Sequence, residues 1–209
     1  MNTVLVTNLT GLKTIVNKEV GRILRIWSQT LLPSAITTTL YFIIFGQLIG
    51  RRVGMIGDVS YMQYIVPGLI MMSVITSAYA NVSTSFFSLK FQRSIEEIII
   101  SPLATWVLII GYISGGVIRG LLVGGIVTII ALLFTHLHIA HFGLMIFVVL
   151  CSAIFFALAG LFNALFATKF DDVMLVPTFI LTPLTYLGGV FYELNGNFDY
   201  AWYGSIALS

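Results

Sequence analysis

Apolar residues occupy the chain in five long runs, and polar residues gather in the short joints between them. Each run has about the ~20 residues that an α-helix needs to cross the ~30 Å hydrocarbon core of a bilayer. They predict spans over about residues 30–49, 64–87, 104–135, 143–167 and 173–191. Ahead of them, residues 11–27 follow a helical period. Leu12, Ile15, Val16, Val20, Ile23, Leu24 and Trp27 share one side, while Lys13, Asn17, Lys18, Arg22 and Arg25 fall elsewhere. That pattern predicts an amphipathic interfacial helix, apolar face toward the acyl chains and cations toward lipid phosphates. The run at 104–135 exceeds one upright crossing, which predicts tilt, a break near Gly115 and Gly116, or extension beyond the lipid.

Composition sharpens this into a fold class, an all-α integral membrane protein forming one unit over residues 1–209. The chain is 58% hydrophobic and 9% charged, with mean hydropathy +1.03, where soluble domains carry about 25% charged residues. Ten Lys+Arg against eight Asp+Glu is close to neutral, so no nucleic-acid surface is expected. Cys151 is the only cysteine, which excludes an internal disulfide framework. The amphipathic start is not a cleavable signal peptide, which needs a short apolar run directly after a basic start. Lys13, Lys18, Arg22, Arg25, Lys90, Arg93 and Lys169 fall on one side of the predicted topology, and Arg51 and Arg52 on the other. The excess predicts a cytoplasmic N-terminus.

The polar residues bound the chemistry. The phosphate-cradling G-x-x-x-x-G-K-[ST] loop is missing, so the chain does not hydrolyse ATP by that route. An ion-coupled carrier usually needs an acid at membrane depth. All eight acidic residues are read in joints or tails, which leaves that alternative without its usual part. Asp171 and Asp172 form one adjacent pair, the thin basis of a second alternative, an intramembrane Mg²⁺-dependent transferase. His136, His138 and His141 lack a Cys or acidic neighbour and read as interfacial residues, and no metal site or catalytic residue is expected.

Arg119 is the one charge well inside a span, a candidate lining of a translocation path with Tyr79 and Asn81. Other polar residues, among them Thr76, Ser83, Thr84, Ser85 and Asn163, suit helix-to-helix contacts as well as a path. Gly111, Gly115, Gly116, Gly120 and Gly124 predict close helix approach. In the joint at 88–102, Phe91, Ile95, Ile98 and Ile99 form one stripe, Gln92, Arg93, Glu96 and Glu97 the opposite face, and Pro102 ends the run. A short helix of this kind suits contact with a soluble partner or with lipid.

The stretches IVPGLIMMSVITSAYANV (65–82), FQRSIEEIIISPL (91–103) and FDDVMLVPTFILTPLTYLGGVFY (170–192), with the basic start, resemble the ABC-2-type transporter permeases. The likeness is to the YadH-like bacterial inner-membrane branch, related to nodulation-factor, polysaccharide and drug exporters. The resemblance implies a multi-pass inner-membrane permease that works as a dimer, with ATP and Mg²⁺ bound by a separate cytoplasmic ATPase and no cofactor in this chain. It implies that the ATPase contacts are the amphipathic helix, with Lys18, Glu19 and Arg22, and the joint with Arg93, Glu96, Glu97 and Pro102. It also implies six spans, so five plus an external re-entrant segment at 192–209 reads as a chain that stops before the last. Pro177, Pro183, Gly188 and Gly189 are candidate hinge positions.

Overall fold

A computed structural model describes residues 2–49, 55–56, 59–135 and 141–187. Gly188, Gly189, the segment 192–209, His136, His138, Arg51 and Arg52 lie outside the described residues. Among the described residues, three helices are long and apolar enough to cross a membrane: α4 (Tyr61–Phe91), α6 (Thr105–Phe134) and α7 (Phe142–Phe166). Before them come α1 (Asn2–Arg25), α2 (Trp27–Thr30), α3 (Leu32–Tyr41) and a π-helical segment, Phe42–Ile49. The short α5 (Ser94–Ile100) joins α4 to α6. After α7 follow α8 (Phe170–Val176), π-helical turns at Pro177–Leu181, and α9 (Thr182–Leu187). Two-residue strands, β1 (Met55–Ile56) and β2 (Val59–Ser60), pair antiparallel before α4.

The fold is that of an all-α membrane protein, and among the described residues three of the five runs form single long helices. The first and fifth runs are helical but segmented. Proline explains part of this, because it lacks an N–H and crowds the preceding turn. Pro33 stands in the first turn of α3, and Pro177 opens the π-helical turns. There the Thr182 hydroxyl donates to the Pro177 carbonyl at 2.9 Å. By contrast α6 runs through Gly115 and Gly116 without a break.

Those glycines serve contact. Helix α4 is central, packed along both α6 and α7. A Cβ on Gly116 would run into Val82 Cγ2 and meet the Ala78 carbonyl at 2.9 Å, and one on Gly124 would meet Val74 Cγ2 at 2.6 Å. From the other side, α7 turns Ala153, Ala157, Gly160 and Ala164 inward. Its opposite face carries Phe147, Phe155, Phe162 and Phe166, each about two-thirds exposed or more. Small residues inside and large apolar ones outside is the arrangement that lipid, not water, rewards.

Helix α1 runs alongside α6 in the same direction. Leu103 covers Gly11, Ile15 covers Gly111, and Glu19 covers Gly115. Further along, the Phe42 ring lies 5.7 Å from that of Phe134. The helical wheel turned Lys and Arg away from an apolar face. In the structure the side facing the bundle carries Asn8, Glu19 and Ile23, while Val4, Val6, Leu9, Leu24 and Trp27 point outward.

Candidate functional site

Two polar features stand on this frame, a buried charged cluster and an exposed joint. The cluster is centred on Glu19, only 2% exposed. Its Oε1 accepts from the Ser85 hydroxyl at 2.7 Å, and its Oε2 accepts from Arg22 Nη2 at 2.8 Å and from Asn81 Nδ2 at 3.4 Å. Arg22 Nη2 also donates to Asn81 Oδ1 at 3.0 Å. Gly115 makes the site possible, because a Cβ there would meet Glu19 Cβ at 2.8 Å and Cγ at 3.0 Å. Tyr112 packs edge-on against Phe86, its ring centroid 5.5 Å away. A buried carboxylate is costly unless it is paired and hydrogen-bonded, and Glu19 is both. The effect is to bolt α1 onto α4 and α6.

Asn8 adds a second bolt. Its Oδ1 accepts from the Ala104 N–H at 3.2 Å, capping the start of α6. The joint follows from there. Arg93 sits at φ 58°, in the left-handed region, and turns the chain sharply from α4 into α5. Arg93, Glu96, Glu97 and Pro102 are all exposed. None of the three charged groups forms an ion pair among the described residues.

Opposite the joint, Lys90 Nζ donates to the carbonyls of Leu165 and Ala167, each at 2.8 Å, at the C-terminal end of α7. A cation there satisfies orphan carbonyls and complements the helix dipole. Phe87, Phe91 and Phe170 stack beside it, with the Phe87 and Phe170 centroids 4.7 Å apart. Replacing Lys90 by Met is expected to cost about 1 kcal/mol and a few degrees of thermal stability in detergent. An unchanged unfolding temperature would remove this role.

These contacts place the residues that the sequence singles out. Glu19, by sequence a joint residue and a candidate partner contact, is buried between helices. Its charge is paired with Arg22. Tyr79 and Asn81 were read as path lining, and both are about 1% exposed. Asn81 belongs to the cluster, while the Tyr79 carbonyl lies 2.5 Å from where a Gly160 Cβ would be. Asn163 donates to the Val173 carbonyl at 3.2 Å and ties α7 to α8. Asp172 accepts from the Thr168 hydroxyl at 2.8 Å and from the Thr168 and Lys169 amides at 2.9 Å. Those hydrogen bonds hold its carboxyl below the ordinary aspartate value and give it a capping role. Among the described residues no three His, Cys, Asp or Glu side chains gather as metal ligands. Lys18 is exposed beside the cluster, and Arg22 keeps a third of its side chain accessible.

Residues 10–207 match the family described as ABC-2 type transporter. The chain belongs to that family. It is 59% identical over 185 residues to the inner membrane transport permease YadH of Escherichia coli K12, covering 88% of this chain and 72% of the relative. The same figures hold for YadH of Shigella flexneri. Nodulation protein J of Rhizobium leguminosarum bv. viciae is 22% identical over 174 residues, 81% of this chain and 67% of the relative. No solved structure matches.

Proposed function

We propose that this chain is the permease subunit of an ATP-driven exporter in a bacterial inner membrane, with its N-terminus in the cytoplasm. It works as a homodimer and takes its energy from a separate cytoplasmic ATPase that binds ATP and Mg²⁺. The cargo is amphipathic, lipid-linked or drug-like. The observation that carries this reading is the end of the bundle where Arg93, Glu96, Glu97 and Pro102 stand exposed and unpaired beside a helix bolted to two spans. The name of the E. coli relative, an inner membrane transport permease, supports its membrane and transport parts.

The mechanism follows from the bolts. Closure of the ATPase pair pushes on α5 and on the exposed side of α1 near Lys18 and Arg22. Because Glu19 and Asn8 fix α1 to α4 and α6, the push moves these helices together. Lys90 and the phenylalanine stack pass it to α7 and α8. Pro177 and Pro183 supply the bendable backbone of the last segment. A transition of this kind requires contacts that differ between two states, and the ATPase supplies them.

Charge reversal tests the joint. Affinity purification of the tagged chain from its own membranes is expected to bring down an ATP-hydrolysing subunit. Arg93→Glu combined with Glu96→Lys and Glu97→Lys is expected to cut that recovery at least about tenfold, since rim charges set partner choice. The folded yield is unchanged because all three side chains are exposed. Full recovery of the ATPase with the triple variant would exclude this joint as the docking surface.

A further inference from the structure

Arg119 has no counter-charge among the described residues. It lies one turn beyond Gly115 on the flank of α6 that α1 covers, and its Nε is buried without an acceptor. The Nε of Arg22 is in the same condition. Glu19 packs on Gly115, and Arg22 and Arg119 each stand one turn further along helices that run in the same direction. Glu19 is the one buried carboxylate among the described residues, and both its oxygens are engaged by Ser85, Arg22 and Asn81. The cluster therefore holds two cations against one anion. An uncompensated guanidinium away from water is costly, so a missing anion is the simplest completion.

Geometry says where that anion comes from. Helical side chains lean toward the N-terminus of their helix, so Arg119 reaches back toward Arg22 and the start of α6. Leu122, one turn further on, is 39% exposed, so this flank opens sideways to the bilayer. Guanidinium forks bind phosphate oxygens in pairs. A phosphodiester carries one negative charge, which matches the surplus.

We propose that Arg119 and Arg22 form a binding site for a phosphate-bearing anion, supplied by the headgroup of an anionic amphiphile in the adjoining leaflet or by free phosphate. The site is an equilibrium property of this chain and stands whether or not an ATPase drives it.

The test uses the purified full chain in an uncharged detergent. Phosphatidylglycerol and phosphatidylcholine with matched tails are added, and retention is read by native mass spectrometry and thermal unfolding. Wild type is expected to retain phosphatidylglycerol roughly tenfold better than phosphatidylcholine, the gain expected of charge-assisted hydrogen bonds. Arg119→Leu loses that preference yet unfolds no earlier than wild type without lipid, because it removes an unpaired charge. Lys13→Gln, at an exposed cation, keeps the preference. Inorganic phosphate that raises the wild-type unfolding temperature as the anionic lipid does identifies phosphate alone as sufficient. A rise with phosphatidylglycerol only assigns the site to lipid. Equal retention of both lipids by wild type overturns the proposal without any variant. So does an undiminished preference in Arg119→Leu, or an equal loss in Lys13→Gln.

Discussion

Gly160→Leu is expected to leave almost no folded chain in detergent, while Gly125→Leu is expected to give near wild-type yield. Both glycines lie within membrane-crossing helices, so helix propensity alone treats them alike and favours leucine at each. Contact separates them. A Cβ at Gly160 would stand 2.5 Å from the Tyr79 carbonyl oxygen and 3.2 Å from its carbon, which are backbone atoms of the central helix. Neither helix can yield without moving its whole length, and α4 is held on the far side by α6. Overpacking in a well-filled core costs about 1–3 kcal/mol, and a full leucine against backbone belongs at or above the top of that range. At Gly125 an added Cβ meets nothing within 4 Å. Fluorescence-detected size exclusion of the two variants side by side decides the matter. A monodisperse Gly160→Leu peak at wild-type intensity would mean that α4 and α7 do not approach as described.

Glu19→Leu comes second in size. It strands Arg22 and leaves Asn81 and Ser85 short of an acceptor. Removing one partner of a buried ion pair costs about 3–5 kcal/mol. The lower end applies because 33% of the Arg22 side chain is exposed and keeps some water. The double variant Glu19→Leu with Arg22→Leu should recover most of the loss, since it replaces the pair with apolar volume. Thermal unfolding of the three variants in one detergent gives the coupling as a double-mutant cycle. Additive losses would show that the two side chains do not form a unit.

The membrane character, the long helices and the close-approach glycines were legible in the sequence because each rests on a local signal. Apolar length marks α4, α6 and α7, and the four-residue row of Gly116, Gly120 and Gly124 marks a contact face. Of tilt, a break near Gly115 and Gly116, or extension beyond the lipid, the unbroken α6 excludes the break. Two glycines weaken a helix in isolation, but here the neighbours that need their missing side chains, Glu19 and Val82, hold them in place. Glu19 was out of reach for a different reason. Its partners stand more than 60 positions away in the chain, at Asn81 and Ser85, and no periodicity connects them. A single acid on the face of α1 shared with Ile15 and Ile23 was the available signal, and a wheel drawn for lipid alone hid it. The capping role of Asp172 was readable, since Thr168 precedes it by one helical turn.

The wide turns at Phe42–Ile49 and Pro177–Leu181 sit in the two apolar runs that do not form one straight rod. Each such turn holds one residue more than an ordinary helical turn. Tightening it would swing every side chain beyond it by about 100° around the axis, the angular step of one residue. The two outermost segments thus carry a screw-like freedom, able to present a new face to their surroundings while the rods between them stay straight.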